Sequence, residues 1–245
     1  DLSEFDVVWL RKDPPFDIDY VFSTYMLDLV DENTLVLNDP ASIRDANEKM
    51  VALRFPHLVP PTLVTQDIDR ALAWIANAPS KVVLKPWDGN GGRGVLVSEK
   101  GDRNLRSMLE LLTNEGQTHI LVQHFIPEIK QGDKRIILID GEARGWMTRV
   151  PGEDDHRGNM HVGASVESTV LSESDIQICE SIGPWLKKSG LLFVGIDTIG
   201  SVMTEINVTS PTGIREINQL MGTRLEIEIT DAVEQKLVAM RRGVQ

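Results

Sequence analysis

Two short stretches carry the side chains best suited to hold a phosphate-bearing ligand. The first, VLKPWDGNGGRG at residues 83–94, is an apolar run that ends in Lys85 and is followed by four glycines. Glycines can present main-chain N–H groups to a phosphate without a Cβ atom in the way, and a lysine adds a point charge. The spacing is neither that of a Walker A loop nor that of the dinucleotide fingerprint, because a predicted strand follows the glycines. Alone, the stretch is equally consistent with a tight β-hairpin whose glycines supply positive φ angles.

The second stretch, GIDTIGSVMTEINV at residues 195–208, holds three oxygen ligands of the kind that bind Mg²⁺. Asp197 lies on one predicted strand, and Glu205 and Asn207 lie on the next, after a turn at residues 200–201. Glu205 and Asn207 are two residues apart and share a strand face, and the hairpin allows Asp197 to lie across from them. Such a set suits Mg²⁺ that carries nucleotide phosphates. A solvated strand face is the alternative, disfavoured because the flanking residues are apolar and buried unpaired charges are costly.

Two further segments could complete a nucleotide site. Residues 123–126 leave a predicted strand, where their main chain could meet an adenine edge, and Arg135 follows on the next strand with its guanidinium free for a carboxylate. The polar stretch at 151–169 is long for a loop in a compact domain. The polar side chains in and next to it include Arg149, Arg157 and Asn159. Such a loop could close over a reacting phosphate. Surface turns and a disordered excursion explain these segments at least as well when each is taken alone.

Predicted strands and helices alternate irregularly, with hairpins as well as helix-connected strands. This mixture predicts an α+β fold rather than a simple run of βαβ units. A helix is predicted over residues 40–54, Ser172 is predicted to cap a helix, and DGE at 140–142 is typical of a tight hairpin turn. Changes in pattern place one domain boundary near residue 44 and a softer one near residue 122.

The composition narrows the classes of function. The chain has 245 residues, of which 41% are hydrophobic, and its formal net charge of -12 argues against a nucleic-acid surface. Its apolar runs are too short to span a bilayer, and its acidic first residues do not resemble a secretion signal. The single cysteine, Cys179, excludes an internal disulfide and suits a reducing compartment. We therefore expect a cytoplasmic protein with neither a nucleic acid nor a membrane as its partner.

Taken together, these stretches resemble the ATP-grasp ligases, and within them the bacterial glutathione synthetases. The resemblance runs over nearly the whole chain, and the order and spacing of the motifs match as well. It rests on RKDPPFD (11–17), RDANEK (44–49), LKPWDGNGG (84–92), GDKRIILIDGE (132–142), GLLFVGIDTIG (190–200) and TEINVTSPTGIREI (204–217).

The resemblance implies an ATP-grasp fold, in which two α+β subdomains hold ATP between them. It assigns residues 1–44 to the end of a doubly wound, substrate-binding N-terminal domain whose front part is expected to be absent. Residues 45–122 would form the central subdomain, and residues 123–245 the C-terminal subdomain with a lid loop around residues 150–169.

The resemblance also implies roles for individual residues. The implied ATP-binding residues are Lys49, Lys85, Gly89, Asn90, Gly91, Gly92, Gln123, His124, Phe125, Ile126 and Asp133. The implied ligands of Mg²⁺ or Mn²⁺ are Asp197, Glu205 and Asn207. The implied substrate contacts are Arg11, Arg135, Arg149, Asn159, Ser210 and Thr212, and the implied catalytic residues are Arg135, Arg149 and Arg157.

The implied reaction joins γ-glutamylcysteine to glycine at the expense of ATP, in a homo-oligomer whose substrates are all small molecules. Two alternatives stay open. Ser165 stands where the family carries an arginine after the lid, which favours another ATP-grasp ligase with a different acid or amine. The expected loss of the front domain favours a non-catalytic nucleotide-binding fragment.

Overall fold

The computed structural model describes residues 1–89, 91–152 and 165–243, and these residues form an α+β structure with three sheets. The described strands are β1 (Val7–Trp9), β2 (Leu35–Leu37), β3 (Thr62–Thr65), β4 (Val82–Pro86), β5 (Leu96–Ser98), β6 (Ile120–His124), β7 (Asp133–Ile139), β8 (Glu142–Val150), β9 (Ser165–Glu167), β10 (Phe193–Ile199) and β11 (Val202–Asn207). The described helices are α1 (Ile18–Leu27), α2 (Pro40–Asp45), α3 (Ile68–Ala76), α4 (Leu105–Leu112), α5 (Glu173–Lys188), α6 (Ile214–Met221) and α7 (Leu225–Arg241). None of these helices is long and apolar enough to cross a membrane.

The first two sheets come from the first half of the chain. Strands β1 and β2 pair in parallel and form a small sheet of their own. The middle sheet has the order β3-β6-β4-β5, with antiparallel neighbours throughout. Helices α3 and α4 cover one face of it, where Ile75 and Leu109 belong to the same buried cluster as Val82 and Leu84. Because side chains alternate along a strand, Lys85 lies on the opposite, uncovered face.

The third sheet has the order β11-β10-β7-β8-β9 and is also antiparallel. On one face Ile136 and Val194 pack in the same cluster as Ile182 of α5. On the other face Ile137 and Phe193 pack with residues of α6 and α7. The two helices leave part of this second face uncovered. Strand alternation places Asp133, Arg135, Arg149, Asp197, Glu205 and Asn207 on that face.

Two local predictions are confirmed. The Ser172 side chain accepts a hydrogen bond from the N–H of Asp175, and the Asp175 side chain accepts one from the N–H of Ser172, so a capping box starts α5. The turn between β7 and β8 places Asp140 at φ 46° and Gly141 at φ 72°. Two consecutive positive φ angles are what a two-residue hairpin turn needs.

The single helix predicted over residues 40–54 is wrong. Helix α2 ends at Asp45, and a separate 3₁₀ turn begins at Val51. Between them the Asn47 side chain accepts hydrogen bonds from the N–H groups of Lys49 (3.1 Å) and Met50 (3.0 Å), which replaces the helical pattern. The break brings the carbonyl of Glu48 to the N–H of Ile206 at 3.0 Å. This segment therefore packs against the third sheet, although the boundary near residue 44 assigns it to the central subdomain.

Candidate active site

A cavity of about 120 Å³ lies between the middle sheet and the third sheet. Its lining consists of Val83, Lys85, Gly92, Val95, Val97, Gln123, His124, Phe125, Ile126, Ile129, Asp133, Arg149, Asp197, Ile199, Thr204 and Glu205. Apolar and charged side chains thus line the same cavity. Such a lining suits a ligand with a flat apolar part and a charged part. A groove of about 930 Å³ beside α5 and α7 is larger, but none of the site residues predicted from the sequence lines it.

Lys85 is the buried cation that the middle sheet contributes. Only 8% of the residue is exposed, and its Nζ donates to Oε1 of Gln123 at 3.0 Å. Gln123 in turn donates through Nε2 to the hydroxyl of Thr62 at 2.8 Å. Burial lowers the pKa of Lys85, and the nearby carboxylate of Glu205 opposes that effect. The lysine is therefore held by a neutral amide in a place that favours an anionic ligand.

The glycine-rich stretch is a hairpin and also part of the cavity, so both interpretations of the sequence hold. Strands β4 and β5 are antiparallel, and Gly91 and Gly92 adopt φ angles of 60° and 75°. Gly92 lines the cavity, and the carbonyl of Gly89 accepts a hydrogen bond from Nζ of Lys49. A Cβ atom at Gly89 would lie 2.7 Å from Cγ of Pro86, so a larger residue here would force the loop to shift. Asn90 lies outside the described residues.

The predicted acidic hairpin is confirmed in its geometry. Strands β10 and β11 pair with Asp197 directly opposite Glu205, and Asn207 lies two residues further along. Nδ2 of Asn207 donates to Oδ2 of Asp197 at 3.4 Å. Oε1 of Glu205 lies 3.6 Å from Nζ of Lys49. Three oxygen-bearing side chains thus meet on one face, and Asp197 and Glu205 line the cavity.

The expectation that the Arg135 guanidinium is free for a carboxylate of a ligand is wrong. Its Nε donates to Oδ1 of Asp197 at 2.6 Å, and its Nη2 donates to Oδ2 at 3.0 Å. Its Nη1 donates to the carbonyl of Thr212 at 3.1 Å. The reason is the strand register, because β7 and β10 pair with Arg135 opposite Asp197. Arg135 therefore holds a site residue in place and does not line the cavity.

Arg149 ties the two carboxylates of this face together. Its Nε donates to Oδ1 of Asp133 at 2.9 Å, and its Nη2 contacts Oδ2 of both Asp133 and Asp197, the latter at 3.1 Å. Burial by itself would raise the pKa of Asp197, but Arg135 and Arg149 outweigh it and hold that pKa well below its usual range. Burial raises the pKa of Asp133 to about 6 despite Arg149. Burial by itself would lower the pKa of Arg149, but Asp197 and Asp133 outweigh it and raise that pKa.

Residues 123–126 line the cavity, but two of their main-chain N–H groups are already hydrogen-bonded within the fold. The N–H groups of His124 and Phe125 donate to the carbonyls of Pro61 and Lys81, both at 3.0 Å. The His124 ring packs against Trp74, with centroids 4.8 Å apart. The N–H groups of His124 and Phe125 are therefore not available to a ligand in the cavity.

Three further predicted substrate contacts, Arg11, Ser210 and Thr212, lie in or against the loop that follows β11. Nη2 of Arg11 donates to the carbonyl of Pro211 at 3.2 Å, and the Ser210 hydroxyl donates to Oδ1 of Asp13 at 3.1 Å. Thr212 contributes its carbonyl to Arg135. Arg157 and Asn159, predicted on the lid, lie outside the described residues.

Two residues of this region were missed by the sequence reasoning. Burial, and then repulsion by Glu205, raises the pKa of Glu48 to about 7, and the hydroxyl of Thr209 donates to its Oε1 at 3.2 Å. In the sequence, the position of Glu48 directly before Lys49 in RDANEK could have indicated that it belongs to this region. Thr62, which supports Gln123, gave no signal because its position opposite Gln123 depends on strand pairing.

Solved structures of other proteins share this fold. D-cycloserine synthetase superposes with a TM-score of 0.74 at 15% identity, over 97% of this chain and 86% of that one. The D-alanine–D-alanine ligase of Bacillus anthracis, solved with ATP, superposes with a TM-score of 0.67 at 14% identity, over 99% of this chain and 82% of that one. The fold, with a cavity between its two larger sheets, is that of the ATP-grasp ligases.

The family follows from sequence similarity. The family model for the ATP-grasp domain of prokaryotic glutathione synthetase matches residues 48–222, and the model for the N-terminal domain of the same family matches residues 1–44. The glutathione synthetase of Thermosynechococcus vestitus is 51% identical over 91% of this chain and 70% of its own length. That of Agrobacterium fabrum is 47% identical over 96% of this chain and 74% of its own length. The chain belongs to the prokaryotic glutathione synthetase family, and it is an ATP-dependent ligase that forms a C–N bond.

Proposed function

We propose that the chain joins γ-glutamylcysteine to glycine in the cleft between the middle and third sheets, through an acyl phosphate. A carboxylate is a poor acylating agent, so the γ-phosphoryl group of ATP is first transferred to it. The glycine amine then attacks the acyl carbon and the C–N bond forms. The C–O bond to the phosphate breaks, phosphate leaves with that electron pair, and the amine loses a proton. The cavity that Lys85 shares with Asp197 and Glu205 carries this proposal. Catalysis then rests on positioning and on compensation of phosphate charge.

ATP binding is assigned to both sheets. Lys49 and Lys85 would compensate phosphate charge. The hairpin loop would cover the phosphates through Gly89, Asn90, Gly91 and Gly92. The main chain of residues 123–126 would meet the adenine, and Asp133 would lie near the ribose. The burial of Lys85 supports this, because a cation in a poorly solvated place gains most from an anionic partner.

Asp197, Glu205 and Asn207 would hold Mg²⁺ or Mn²⁺. Among the described residues, Oδ2 of Asp197 accepts from Arg135, Arg149 and Asn207, whereas Oδ1 accepts from Arg135. Oδ1 therefore keeps a lone pair for a cation. No group of three or more His, Cys, Asp or Glu side chains in the described residues is placed to hold a metal. This fits Mg²⁺, which uses one or two carboxylates together with substrate phosphates. When bound, the ion would compensate charge on the reacting phosphates.

The arginines and the loop after β11 are assigned to the acid and amine substrates. Arg149 lines the cavity and keeps its charge there, and Arg135 would position Asp197. Arg11, Ser210 and Thr212 would contact the substrates beside them, while Arg157 and Asn159 would act from the lid.

Phosphate release by the full-length protein with ATP, Mg²⁺, γ-glutamylcysteine and glycine tests the proposal. We expect release that requires both amino-acid substrates and is matched by the glutathione formed. ATP binding without release for this pair would contradict it. Release with another acid or amine from a substrate panel would identify a ligase of different specificity.

The proposal extends to the domain boundaries, the oligomeric state and the cellular compartment of the protein. We propose units at residues 1–44, 45–122 and 123–245, and a homo-oligomer in the cytoplasm. Exposed apolar side chains on and after α1 support self-association, among them Phe22, Tyr25 and Leu29. The single cysteine supports a reducing compartment. Light scattering of the full-length protein would contradict the oligomer if it gave the monomer mass, and cell fractionation checks the compartment.

A further inference from the structure

The side chain of Asn47 makes hydrogen bonds in two directions. Its Oδ1 accepts from the N–H groups of Lys49 at 3.1 Å and of Met50 at 3.0 Å. Its Nδ2 donates to the carbonyl of Trp87 at 3.2 Å. The amide fits in this orientation alone, because an exchange of its two ends would place donors against donors and an oxygen against an oxygen. Both ends of the amide are therefore bonded within the protein.

On one side, Asn47 shapes the backbone that carries Lys49. An asparagine oxygen that accepts from N–H groups two and three residues ahead makes the bonds that start a helical turn. The carbonyl of Asn47 also accepts from the N–H of Val51 at 2.8 Å. Lys49 is held in this turn with only 4% of its surface exposed, and its Nζ donates to the carbonyl of Gly89 and lies 3.6 Å from Oε1 of Glu205. The direction of the Lys49 side chain thus depends on the turn that Asn47 starts.

On the other side, Asn47 holds the glycine loop, which comprises residues 86–95 between β4 and β5. The loop is bonded at two of its carbonyls, that of Trp87 by Asn47 and that of Gly89 by Lys49. All four of these residues line one small cavity of about 20 Å³, which has room for about one water molecule. The loop therefore packs closely against the segment that carries Asn47.

The same segment is attached to the third sheet. The carbonyl of Glu48 accepts from the N–H of Ile206 on β11 at 3.0 Å, and the hydroxyl of Thr209 donates to Oε1 of Glu48 at 3.2 Å. Strand β11 also carries Glu205, a proposed metal ligand. Residues 47–49 therefore form a bridge that places the glycine loop of the middle sheet against the acidic hairpin of the third sheet.

We propose that Asn47 is a positioning residue for ATP, which holds the glycine loop and Lys49 in the arrangement that receives the phosphates. It acts through the Trp87 carbonyl and the backbone of Lys49 rather than by contact with a substrate. A loop that is already held in its binding position loses less conformational freedom when ATP binds, so the affinity for ATP is higher. The inference rests on the proposed function, because it takes the glycine loop and Lys49 as phosphate-binding groups.

Asn47→Ser in the full-length protein separates the two directions of bonding. Serine starts a helical turn about as well as asparagine does, but it has no amide to reach the carbonyl of Trp87. We expect the KM for ATP to rise about three- to tenfold, which corresponds to the loss of one neutral hydrogen bond. The kcat at saturating ATP and the KM values for γ-glutamylcysteine and glycine should change less than about twofold.

Trypsin gives a second readout that needs no turnover. Arg93 is an exposed residue of the glycine loop, and the rate of cleavage after it reports how often the loop opens. Without ATP, we expect cleavage after Arg93 to be about three- to tenfold faster in Asn47→Ser than in the wild type, with an unchanged midpoint of urea unfolding. Saturating ATP should slow the cleavage in both proteins. Mass spectrometry of the fragments identifies the cleavage site.

Asn77→Ser is the matched control. Nδ2 of Asn77 donates to the carbonyl of Ala73 at 2.8 Å at the end of α3, so the variant removes the same kind of bond away from the glycine loop. It should leave the KM for ATP and the cleavage after Arg93 unchanged. Asn47→Ala removes the acceptor of the turn as well. It should reproduce the effects of Asn47→Ser and also lower the midpoint of urea unfolding.

One result would overturn the inference: a KM for ATP and a rate of cleavage after Arg93 that both stay within about twofold of the wild type in Asn47→Ser. Asn47 would then serve the turn alone. Absence of turnover by the wild type would overturn the proposed function separately. Calorimetric titration of ATP would then replace the KM, and weaker binding by Asn47→Ser together with faster cleavage would still support the positioning role.

Discussion

The two sheets that enclose the cavity present charge in opposite ways. The middle sheet contributes the lysine wall: Lys85, its amide partner Gln123 and the glycine loop at residues 86–95. The third sheet contributes the arginine wall, made of Asp133, Arg135, Arg149 and Asp197, in which every charge has an opposite partner. Among the residues that the structure describes, Gln123 is the one hydrogen-bond partner of the Lys85 ammonium, and it is a neutral amide. A paired network supports folding and function together, whereas a buried cation without a bonded carboxylate serves an anionic ligand and costs stability.

The largest effect is expected for Asp197→Asn on the arginine wall. Arg135 and Arg149 would lose their shared carboxylate, and the proposed cation would lose a negatively charged ligand. We expect turnover to fall by about a thousandfold or more and the free energy of unfolding to fall by about 3–5 kcal/mol. Phosphate release and urea unfolding measure the two.

Asp175→Asn is the matched control for that variant. Asp175 is also fully buried, and it accepts from Lys134 and from Thr198, on the opposite face of the same sheet. It should lose stability with less than about a threefold change in turnover. A similar loss of turnover in both variants would mean that any buried break in this sheet disables the enzyme.

Lys85→Met should separate function from stability on the lysine wall. We expect kcat/KM for ATP to fall about a hundredfold because a phosphate partner is lost. The free energy of unfolding should stay the same or rise by about 1 kcal/mol, because a desolvated charge is removed. A loss of stability as large as that of Asp197→Asn would contradict the difference between the walls.

Gly89→Ala tests the loop of the lysine wall with a smaller effect. The new Cβ atom would lie 2.7 Å from Cγ of Pro86 and 3.1 Å from the carbonyl oxygen of Arg93. We expect the KM for ATP to rise about fivefold as the loop shifts. Gly101→Ala is the control. At φ 87° and with no atom within 4 Å of its Cβ, it should cost about 1 kcal/mol of stability and leave the KM for ATP unchanged.

The smallest effect concerns pH and Glu48, whose carbonyl accepts a hydrogen bond from the N–H of Ile206 on β11. Burial, with repulsion by Glu205, raises its pKa from 4.5 to about 7. Between these values the folded state binds more protons than the unfolded chain, so this group contributes stability below pH 4.5 that is lost as pH rises through about 7. We expect the free energy of unfolding to decline by about 1 kcal/mol more in the wild type than in Glu48→Gln between pH 6.5 and 8. Equal slopes in urea titrations would show that Glu48 is not perturbed.

Local patterns predicted the elements that depend on neighbours in sequence. The turn at Asp140 and Gly141, the cap at Ser172 and the acidic hairpin all follow from residues within about ten positions of one another. The broken helix before Val51 was missed because a single side chain, Asn47, decides between two hydrogen-bond patterns that the same sequence allows.

Long-range register is what the sequence alone could not supply. The pairing of Arg135 with Asp197 depends on β7 lying beside β10, although β8, β9 and α5 separate these two strands in sequence. The chain of bonds from Thr62 through Gln123 to Lys85 likewise needs three strands in one register. The motifs located the site residues, whereas their partners emerged only from the assembled sheets.

A crystal structure of the full-length protein with a non-hydrolysable ATP analogue and Mg²⁺ tests the nucleotide site most directly. We expect the phosphates beside Lys85 and the glycine loop. We also expect an ion about 2.0–2.1 Å from oxygens of Asp197, Glu205 and Asn207, with Oδ1 as the contributing atom of Asp197. A nucleotide whose phosphates lie outside the cavity, or an ion bound without Asp197 and Glu205, would contradict this assignment.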